Sequence, residues 1–423
     1  MQNLPRHAII FGMKTIIVIG GGAAGIMAAG AAAEHGANVI LIEKNDALGK
    51  KLLLTGGGRC NITNTADVAD FVDKVPRNPY FLYSALYGFD SAALRDFLHS
   101  FGLATKVEEA GRVFPVSDDA NDVLAAFVRY LRHGGVDIMF NAPVASITSH
   151  DADGFTVEIT DGRKIAADAV IIATGGLSAP HTGSTGDGYR ITKDFGHDVT
   201  KLHPSLVPLV VSKPNLADAM GLSLSDVGLV AKHGGKAVYK DAGDIIFTHF
   251  GISGPMVLRA SAHLARHMHL SHDFYLDFVQ HQSEKDLDDS ILAIFGQNPN
   301  KDIKNCLEAI FPNRLVGLLL AASSINENKK ARDITKEVRK TLCQSIKAFR
   351  LEVTGSVGFS AAVITCGGVN CNEIDPSTMQ SKLIPGLYFA GEVIDVDALT
   401  GGYNLAIAFA TGRLAGKSAT EHD

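Results

Sequence analysis

The chain of 423 residues carries a net charge of −6, and its length predicts two or three domains. Basic and acidic residues are mixed along it, so the sequence predicts no nucleic-acid partner and no charged tail for binding other proteins. Its five cysteines are scattered without a CxxC pair, which disfavours a disulfide framework or a metal site and predicts a cytoplasmic protein.

The first predicted elements form a dinucleotide-binding unit. An apolar, β-branched run at 15–19 predicts a buried parallel strand, and the motif Gly20-x-Gly22-x-x-Gly25 follows it directly. An Ala-rich helix is predicted over 26–35. The glycines permit a tight turn, close approach of a pyrophosphate and packing of the helix on the strand, and the helix N-terminus attracts phosphate. The predicted contacts are Gly20, Gly22, Ala23, Ala24 and Gly25.

The stretch from Thr15 to Ala33 is uncharged, but a strand–helix unit explains it and no membrane segment is predicted. The strand begins just after Met13. Either Met1 or Met13 is therefore the start of translation, and residues 1–12 are predicted to be dispensable.

A carboxylate ends the second predicted strand, 38–42. Glu43 lies 18 residues beyond Gly25, where an acid can accept hydrogen bonds from the ribose of adenosine. Lys44 follows it and is also predicted to contact the cofactor. Strand, glycine motif, helix, strand and acid together favour a bound dinucleotide over a glycine-rich turn without a ligand.

A long loop, 48–64, follows the ribose strand. Its three adjacent glycines suit a segment that lies along a pyrophosphate with backbone donors, although an ordinary surface loop is the alternative. Arg59 is predicted to pair with a phosphate or with a substrate carboxylate. Cys60 is more simply interpreted as a packed thiol than as a redox partner, because no resolving cysteine lies nearby. The predicted contacts are Thr55, Gly56, Gly57, Arg59, Cys60 and Asn61.

Short strands are predicted in the middle of the first domain, around 144–148, 155–160 and 169–173. The small residues that end the last of these permit close approach of the adenosine half of the cofactor. The predicted contacts here are Val144, Ala173, Thr174 and Gly175.

From about residue 196 the sequence pattern changes from that of an α/β domain to that of β-structure. Alternating apolar and polar residues with several prolines predict β-structure to 282, and 283–349 is predicted to be mostly helical. His249 lies in a strand-to-helix loop of the β-rich segment. It is a candidate proton donor, although a histidine in such a loop is more often structural.

Near the C-terminus a second glycine-rich segment indicates that the dinucleotide is FAD. Gly391-Glu392 closes a strand, where a carboxylate can accept hydrogen bonds from ribityl hydroxyls. The turn 400–404 then opens a helix whose N-terminus is predicted to face the flavin N1/O2 edge and to favour the anionic reduced ring. Tyr403 is a second catalytic candidate. The predicted contacts are Gly391, Glu392, Gly402, Tyr403, Asn404 and Leu405.

These motifs resemble those of the BaiN/YhiN-like bacterial NAD(P)/FAD-dependent flavoproteins over nearly the whole chain. The resemblance implies non-covalent FAD and a two-part FAD domain with a β-rich and a small helical insert. It also implies, for some members, reduction of conjugated carbon–carbon double bonds in steroid-like bile acid intermediates. Flavoproteins of the wider class usually have Gly-Asp where this chain has Gly391-Glu392, and the longer side chain keeps the same role. The resemblance rests on 20–25, 55–64, 111–117, 173–176, 247–255, 366–369 and 387–404.

The predicted fold is therefore α/β, a discontinuous Rossmann-like FAD-binding domain (1–195 and 350–423) with a β-rich insert domain (196–282) and a small helical insert (283–349). The predicted function is a reductase that passes hydride from NADH or NADPH through flavin N5 to an unsaturated, steroid-like or quinone-like small molecule. No second GxGxxG is present, so the nicotinamide is expected to bind only transiently.

Three alternatives stay open: a flavin-binding redox sensor, a tRNA-modifying flavoprotein and a single-dinucleotide NAD dehydrogenase. The mildly acidic charge disfavours RNA, and the C-terminal glycine-rich segment disfavours the NAD dehydrogenase. The sequence leaves open the acceptor, the preference between NADH and NADPH, the catalytic acid or base and the oligomeric state.

Overall fold

A computed structural model describes residues 13–150 and 154–421 and divides the chain into two compact units. The first unit comprises the chain up to Leu202 and from Gly367 onward, and the second comprises His203–Cys366. Residues 1–12, predicted to be dispensable, lie outside the described residues. Within the described ranges, no helix is both long enough and apolar enough to cross a membrane.

The first unit contains a central sheet with helices and two small antiparallel sheets. Its elements are β1 (Thr15–Ile19), α1 (Ala23–Glu34), β2 (Asn38–Ile42), α2 (Lys50–Leu54), β3 (Thr63–Asn64), α3 (Val68–Val72), α4 (Tyr83–Gly88), α5 (Ser91–Ser100), β4 (Thr105–Val107), β5 (Arg112–Pro115), α6 (Ala120–His133), β6 (Asp137–Met139), β7 (Val144–Ser149), β8 (Phe155–Ile159), β9 (Lys164–Ala167), β10 (Ala169–Ile172), α7 (Asp187–Asp194), β19 (Leu387–Phe389) and α13 (Tyr403–Thr420).

The central sheet is parallel, in the order β19-β10-β1-β2-β6. Its inner strands are continuous apolar runs because parallel strands are covered on both faces, and Ile16 to Val18 are fully buried. The predicted α/β, Rossmann-like fold class is confirmed. Helix α1 begins at Ala23, earlier than the predicted residue 26, because Gly22 is its N-cap and the last motif glycine lies within the helix.

Helices α1 and α13 pack unusually closely because small residues face each other. A Cβ on Gly412 would overlap the carbonyl of Ala24, and a Cβ on Gly416 would overlap that of Ala28. Both pairs advance by four residues in the same direction, so the helices run parallel. With a rise of about 1.5 Å per residue, the N-terminus of α13 therefore projects about 12 Å beyond that of α1.

The second unit consists of a closed barrel with helices. Its elements are β11 (His203–Ser205), β12 (Leu209–Lys213), β13 (Ser223–His233), β14 (Lys236–Phe247), β15 (Gly251–Ser253), α8 (Pro255–Leu264), β16 (His272–Asp277), α9 (Glu284–Gln297), α10 (Ile303–Leu307), α11 (Asn313–Ala322), α12 (Lys336–Lys347), β17 (Phe349–Ser356) and β18 (Ile364–Cys366).

The barrel closes in the order β12-β15-β14-β13-β16-β17, and the large rings of Phe247, Phe274 and Phe349 are fully buried. The unit boundaries differ from the predicted segments, which ended at 195 and resumed at 350. Strand β17 pairs with β12 and β16, so 349–366 belongs to the barrel unit. The helices α9 to α12, predicted as a separate insert, belong to the same compact unit.

The helix contact predicts the effect of one added methyl group. Gly416→Ala places a Cβ against the Ala28 carbonyl, so we expect it to lower the free energy of unfolding by about 1–3 kcal/mol. Gly317→Ala is the matched control, since Gly317 lies inside α11 with no atom near its Cβ position, and it should be neutral or stabilise by up to about 1 kcal/mol. Urea unfolding measures both; equal effects would contradict the close packing.

Candidate dinucleotide site

The first glycine loop has the shape that a phosphate requires. Gly20 has φ +106°, and a Cβ there would lie 2.5 Å from the Ala173 carbonyl oxygen. A Cβ on Gly25 would overlap the Gly20 carbonyl, so the third glycine lets α1 pack on the turn. Gly22, the N-cap of α1, faces open space. The structure therefore leaves room for an anion in front of the helix N-terminus, where Ala23 and Ala24 begin the first turn.

The predicted ribose acceptor lies at this loop. Glu43 is buried, and its carboxylate accepts hydrogen bonds from the Gly21 N–H (2.7 Å) and from the Asn45 backbone and side-chain N–H groups (2.8 and 2.7 Å). A carboxylate has about four acceptor positions, so three are used within the protein. The remaining capacity suits a ribose hydroxyl.

Lys44 does not present a free charge to the site. Its ammonium donates to Asp187 (2.6 Å) and to Thr185 (2.5 Å). The ion pair ties the end of β2 to the beginning of α7. The sequence predicted a cofactor contact for Lys44, whereas the structure assigns its charge to Asp187.

The structure also gives Arg59 a different partner from the predicted phosphate. Its guanidinium stacks 4.1 Å from the centre of the Phe114 ring and pairs with Glu108 and Asp118. The hydrogen bond to Glu108, followed by that to Asp118, raises the pKa of Arg59, and the Arg59 hydrogen bond lowers the pKa of Glu108. Two carboxylates thus offset this charge.

The glycines before Arg59 form an open loop. Gly56, Gly57 and Gly58 all have positive φ, and no atom lies within 4 Å of the Cβ positions of Gly57 and Gly58. Thr55 precedes them and donates its hydroxyl to the Leu52 carbonyl (2.7 Å). Thr55, Gly56 and Gly57 stay predicted cofactor contacts, and the open side of the loop is compatible with that role.

The asparagines of this loop build the C-terminal turn. The Asn64 side chain donates to the Gly401 carbonyl (3.0 Å). With the Asn61 amide oriented so that its nitrogen donates to the Thr63 and Val113 carbonyls, its oxygen accepts from the Gly402 N–H (3.0 Å). In this orientation the Gly402 N–H is bonded to Asn61, and a flavin contact of the turn stays a prediction. The motifs at opposite ends of the chain meet here.

Two further residues of the turn have structural partners. The side chain of Asn404 pins the preceding loop by accepting from the Ala398 N–H (2.8 Å) and donating to the Ala398 carbonyl (2.7 Å). The Tyr403 ring packs edge-on against Phe71, and burial raises the pKa of its hydroxyl. The first turn of α13 runs from Tyr403 to Leu405. The backbone N–H groups of this turn have no acceptor within the helix, so they are the donors that α13 can offer a ligand.

Gly391 and Glu392 lie at the carboxyl end of β19. Gly391 has φ +73°, and a Cβ there would lie 2.6 Å from that of Ala24, so this loop touches the start of α1. The Glu392 carboxylate accepts from the Lys51 ammonium (2.5 Å) and from the Ser178 hydroxyl. Sequence reasoning missed Lys51 and Ser178. The spacing contained no signal that chose Lys51 over its neighbour, Lys50.

A buried clamp, also missed, holds the segment between Glu392 and α13. Arg77 makes a bidentate pair with Asp397, whose side chain is fully buried. The Asn78 side chain donates to the Asp395 carbonyl (2.7 Å), and the Leu399 N–H donates to the Lys74 carbonyl (2.8 Å). Only a folded chain brings 74–78 to 395–399.

The loop after β10 contains a buried hydroxyl without a partner. The Thr174 hydroxyl makes no hydrogen bond within the described residues, and neither does that of Thr63. The Thr174 hydroxyl is enclosed by protein and faces Gly188 of α7, where an added Cβ would lie 2.2 Å from its oxygen. Ala173 closes on Gly20, and Gly175 has φ +74°.

Val144 and His249 are the remaining predicted site residues, and a cofactor contact of Val144 stays a prediction. The carbonyl of Val144, at the start of β7, accepts from Arg190 (3.3 Å). His249 belongs to the second unit, between β14 and β15, where its ring contacts that of Phe250. A catalytic role for His249 stays a prediction.

The residues of the first unit fit FAD. The glycine loop and Glu43 suit the pyrophosphate and adenosine ribose, Glu392 suits the ribityl chain, and the first turn of α13 suits the flavin ring. The projection of α13 by about 12 Å gives the two helix N-termini separate positions along the helix direction. When bound, FAD would supply two-electron hydride chemistry, which side chains alone do not provide.

The chain is similar to known proteins over nearly its whole length. A family model described as an HI0933-like protein Rossmann domain matches residues 14–418. The 3-dehydro-bile acid delta(4,6)-reductase of Clostridium scindens is 35% identical over 97% of this chain and 100% of its own. The ribosomal RNA dihydrouridine synthase of Escherichia coli is 32% identical over 93% of this chain and 95% of its own.

Among solved structures, the 3-ketosteroid delta1-dehydrogenase of Sterolibacterium denitrificans, in complex with 1,4-androstadiene-3,17-dione, matches with a TM-score of 0.51 at 15% identity. The match covers 96% of this chain and 100% of that one. At this identity it shows a shared fold alone.

Glu43→Ala should weaken FAD binding. The substitution removes the ribose acceptor and leaves the Gly21 N–H without its partner, which costs about 1–3 kcal/mol or roughly 5- to 150-fold in Kd. Asp46→Ala is the control, because Asp46 is a nearby exposed carboxylate paired with Lys50. Titration of apoprotein with FAD measures the difference, and equal Kd values would show that Glu43 does not bind the cofactor.

Cys60 should behave as an inert thiol. Burial raises its pKa to about 12, so roughly 1 in 10,000 molecules carries the thiolate at pH 8. Alkylation of native protein by iodoacetamide at pH 8, followed by mass spectrometry, should therefore label the partly exposed Cys371 and spare Cys60. Labelling of Cys60 as fast as that of Cys371 would contradict its burial.

Proposed function

Because this chain belongs to the HI0933-like Rossmann family and is an FAD-dependent oxidoreductase, we propose that it reduces a carbon–carbon double bond conjugated to a carbonyl, with NADH or NADPH as electron donor. Family membership and the use of FAD confirm the resemblance and cofactor predicted from the motifs. We expect the acceptor to be a small, steroid-like or quinone-like molecule and the protein to act in the cytoplasm.

One observation carries the redox role. The parallel packing of α1 and α13 directs two helix N-termini to the same edge of the sheet, one level with the glycine loop and the other about 12 Å beyond it. A helix N-terminus beside a flavin stabilises the anionic reduced ring more than the neutral oxidised one. A protein that only stored the cofactor would not need this second terminus.

The sequence restricts how the proposed donor, NADH or NADPH, could bind, and another donor is the alternative. The sequence contains one GxGxxG, so a nicotinamide would bind transiently rather than in a domain of its own. Reduction of the acceptor then adds a hydride to the β carbon and a proton to the α carbon, and the nicotinamide loses the hydride. His249 is our candidate for supplying the proton.

The acceptor class is supported by the names of relatives. One relative is a 3-dehydro-bile acid reductase, and others are ribosomal RNA dihydrouridine synthases. A dienone and a uracil ring share one feature, a C=C bond conjugated to a carbonyl. The bile acid reductase has the higher identity to this chain, which favours a small-molecule acceptor. The net charge of −6 favours it too, because proteins that bind RNA usually present a basic surface.

Reduction of uridine in ribosomal RNA is the second candidate function, favoured by the Escherichia coli and Haemophilus influenzae relatives at 32% and 29% identity. It requires the same hydride chemistry and a different recognition surface. We therefore treat the two acceptors as outcomes of one experiment.

Purified protein should be yellow and should contain about one FAD per chain, released by heat or acid. Anaerobic NADH or NADPH should bleach the flavin, and a 3-oxo-4,6-diene steroid should restore its colour with formation of the reduced steroid. The saturated 3-oxo steroid is the matched control. Reoxidation by ribosomal RNA with formation of dihydrouridine, and none by the dienone, would favour the second candidate; a flavin reduced by neither nicotinamide would exclude both as donors.

A further inference from the structure

One ammonium group lies at the carboxyl edge of the parallel sheet, where open α/β sheets bind their ligands. Lys51 extends from α2, and its Nζ lies 2.7 Å from the Ser178 hydroxyl and 2.5 Å from a Glu392 carboxylate oxygen. Ser178 follows the loop after β10, and Glu392 follows β19. Lys51 therefore joins the loops of two adjacent strands.

The ammonium group has an unused hydrogen-bond donor. Lysine carries three N–H donors, and Ser178 and Glu392 take two of them. No other acceptor contacts this group in the part of the chain that the structure describes. The Lys51 side chain is 27% exposed and that of Glu392 is 11% exposed, so the pair is mostly shielded and the lysine keeps some accessible surface.

The charges around this edge select the ligand group. Glu43 and Glu392 bring two carboxylates to an edge that must also accept the two negative charges of a pyrophosphate. Two other cations of this region pair with acids outside the proposed cofactor contacts, Lys44 with Asp187 and Arg59 with Glu108 and Asp118 on either side of β5. By the same count Lys44 also has one donor left, but it pairs with Asp187 at the start of α7, whereas Lys51 contacts Glu392, one of the two carboxylates proposed to bind FAD.

We propose that Lys51 binds FAD directly, donating its third N–H to an oxygen of the pyrophosphate while it holds the Glu392 carboxylate in place for the ribityl chain. The sequence motifs do not assign this residue. This inference rests on the FAD site and not on the acceptor or electron donor proposed above. The Lys51 contact can therefore fail while the proposed function holds, and the proposed function can fail while the Lys51 contact holds.

FAD affinity of the apoprotein tests the contact. We expect Lys51→Met to raise the Kd about 10- to 100-fold and to weaken its salt dependence, and Lys51→Arg to retain most of the affinity. Lys50→Met is the matched control, because Lys50 pairs with the exposed Asp46 and should bind FAD normally. A Lys51→Met protein that is folded by urea unfolding and binds FAD like the wild type would overturn the proposal.

Two further measurements separate direct contact from charge balance. In Lys51→Met/Glu392→Gln the affinity should stay below that of Glu392→Gln alone, because the donor is still missing; an affinity equal to that of Glu392→Gln would show that Lys51 only offsets Glu392. In the unmodified protein, FAD should protect Lys51 but not Lys50 from acetic anhydride, read by mass spectrometry. Equal acetylation of Lys51 with and without FAD would also overturn the direct contact, whatever the folding of the variants.

Discussion

The close parallel contact between α1 and α13 is the constraint on which the cofactor site depends. Glycines on α13 face alanines on α1, so the helix backbones approach more closely than side chains would allow. Helix α1 is fixed behind the glycine loop by β1, and the contact therefore sets how far α13 reaches along the sheet edge. Because helix termini are rigid and carry partial charge, this spacing determines where a pyrophosphate and a flavin ring can lie relative to each other.

Charge at the sheet edge is balanced by local pairs. Lys44, Lys51 and Arg59 each pair with carboxylates, and the glycine loop offers backbone N–H groups instead. Burying a charge without a partner is costly, so each of these pairs offsets the charge of its carboxylate next to a ligand that is itself anionic. Glu43 and Glu392 can then act as acceptors for ribose and ribityl hydroxyls. The arrangement makes recognition depend on hydrogen-bond geometry more than on net positive charge.

Several roles changed once the chain was folded, and the changes share a cause. Asn61 and Asn64 were interpreted as part of a phosphate loop, yet they hold the turn at Gly401 and Gly402, more than 300 residues away in sequence. Asn404 pins its own loop in the same way. Polar residues in a glycine-rich motif can bind a ligand directly, or they can stabilise the turn that binds it. The sequence motif looks the same in both cases, so it does not distinguish them.

The sequence alone determined the fold class, the first nucleotide-binding unit and the cofactor, because these rest on local patterns: apolar runs, glycine spacing and an acid at a strand end. The tertiary structure decided what depends on pairing across the chain. It joined Lys51 to Glu392 and Arg77 to Asp397, committed Arg59 to Glu108 and Asp118, and placed β17 in the barrel. Periodicity reports which face of an element is buried, but a side chain's partner is chosen by distance in space, which no local pattern encodes.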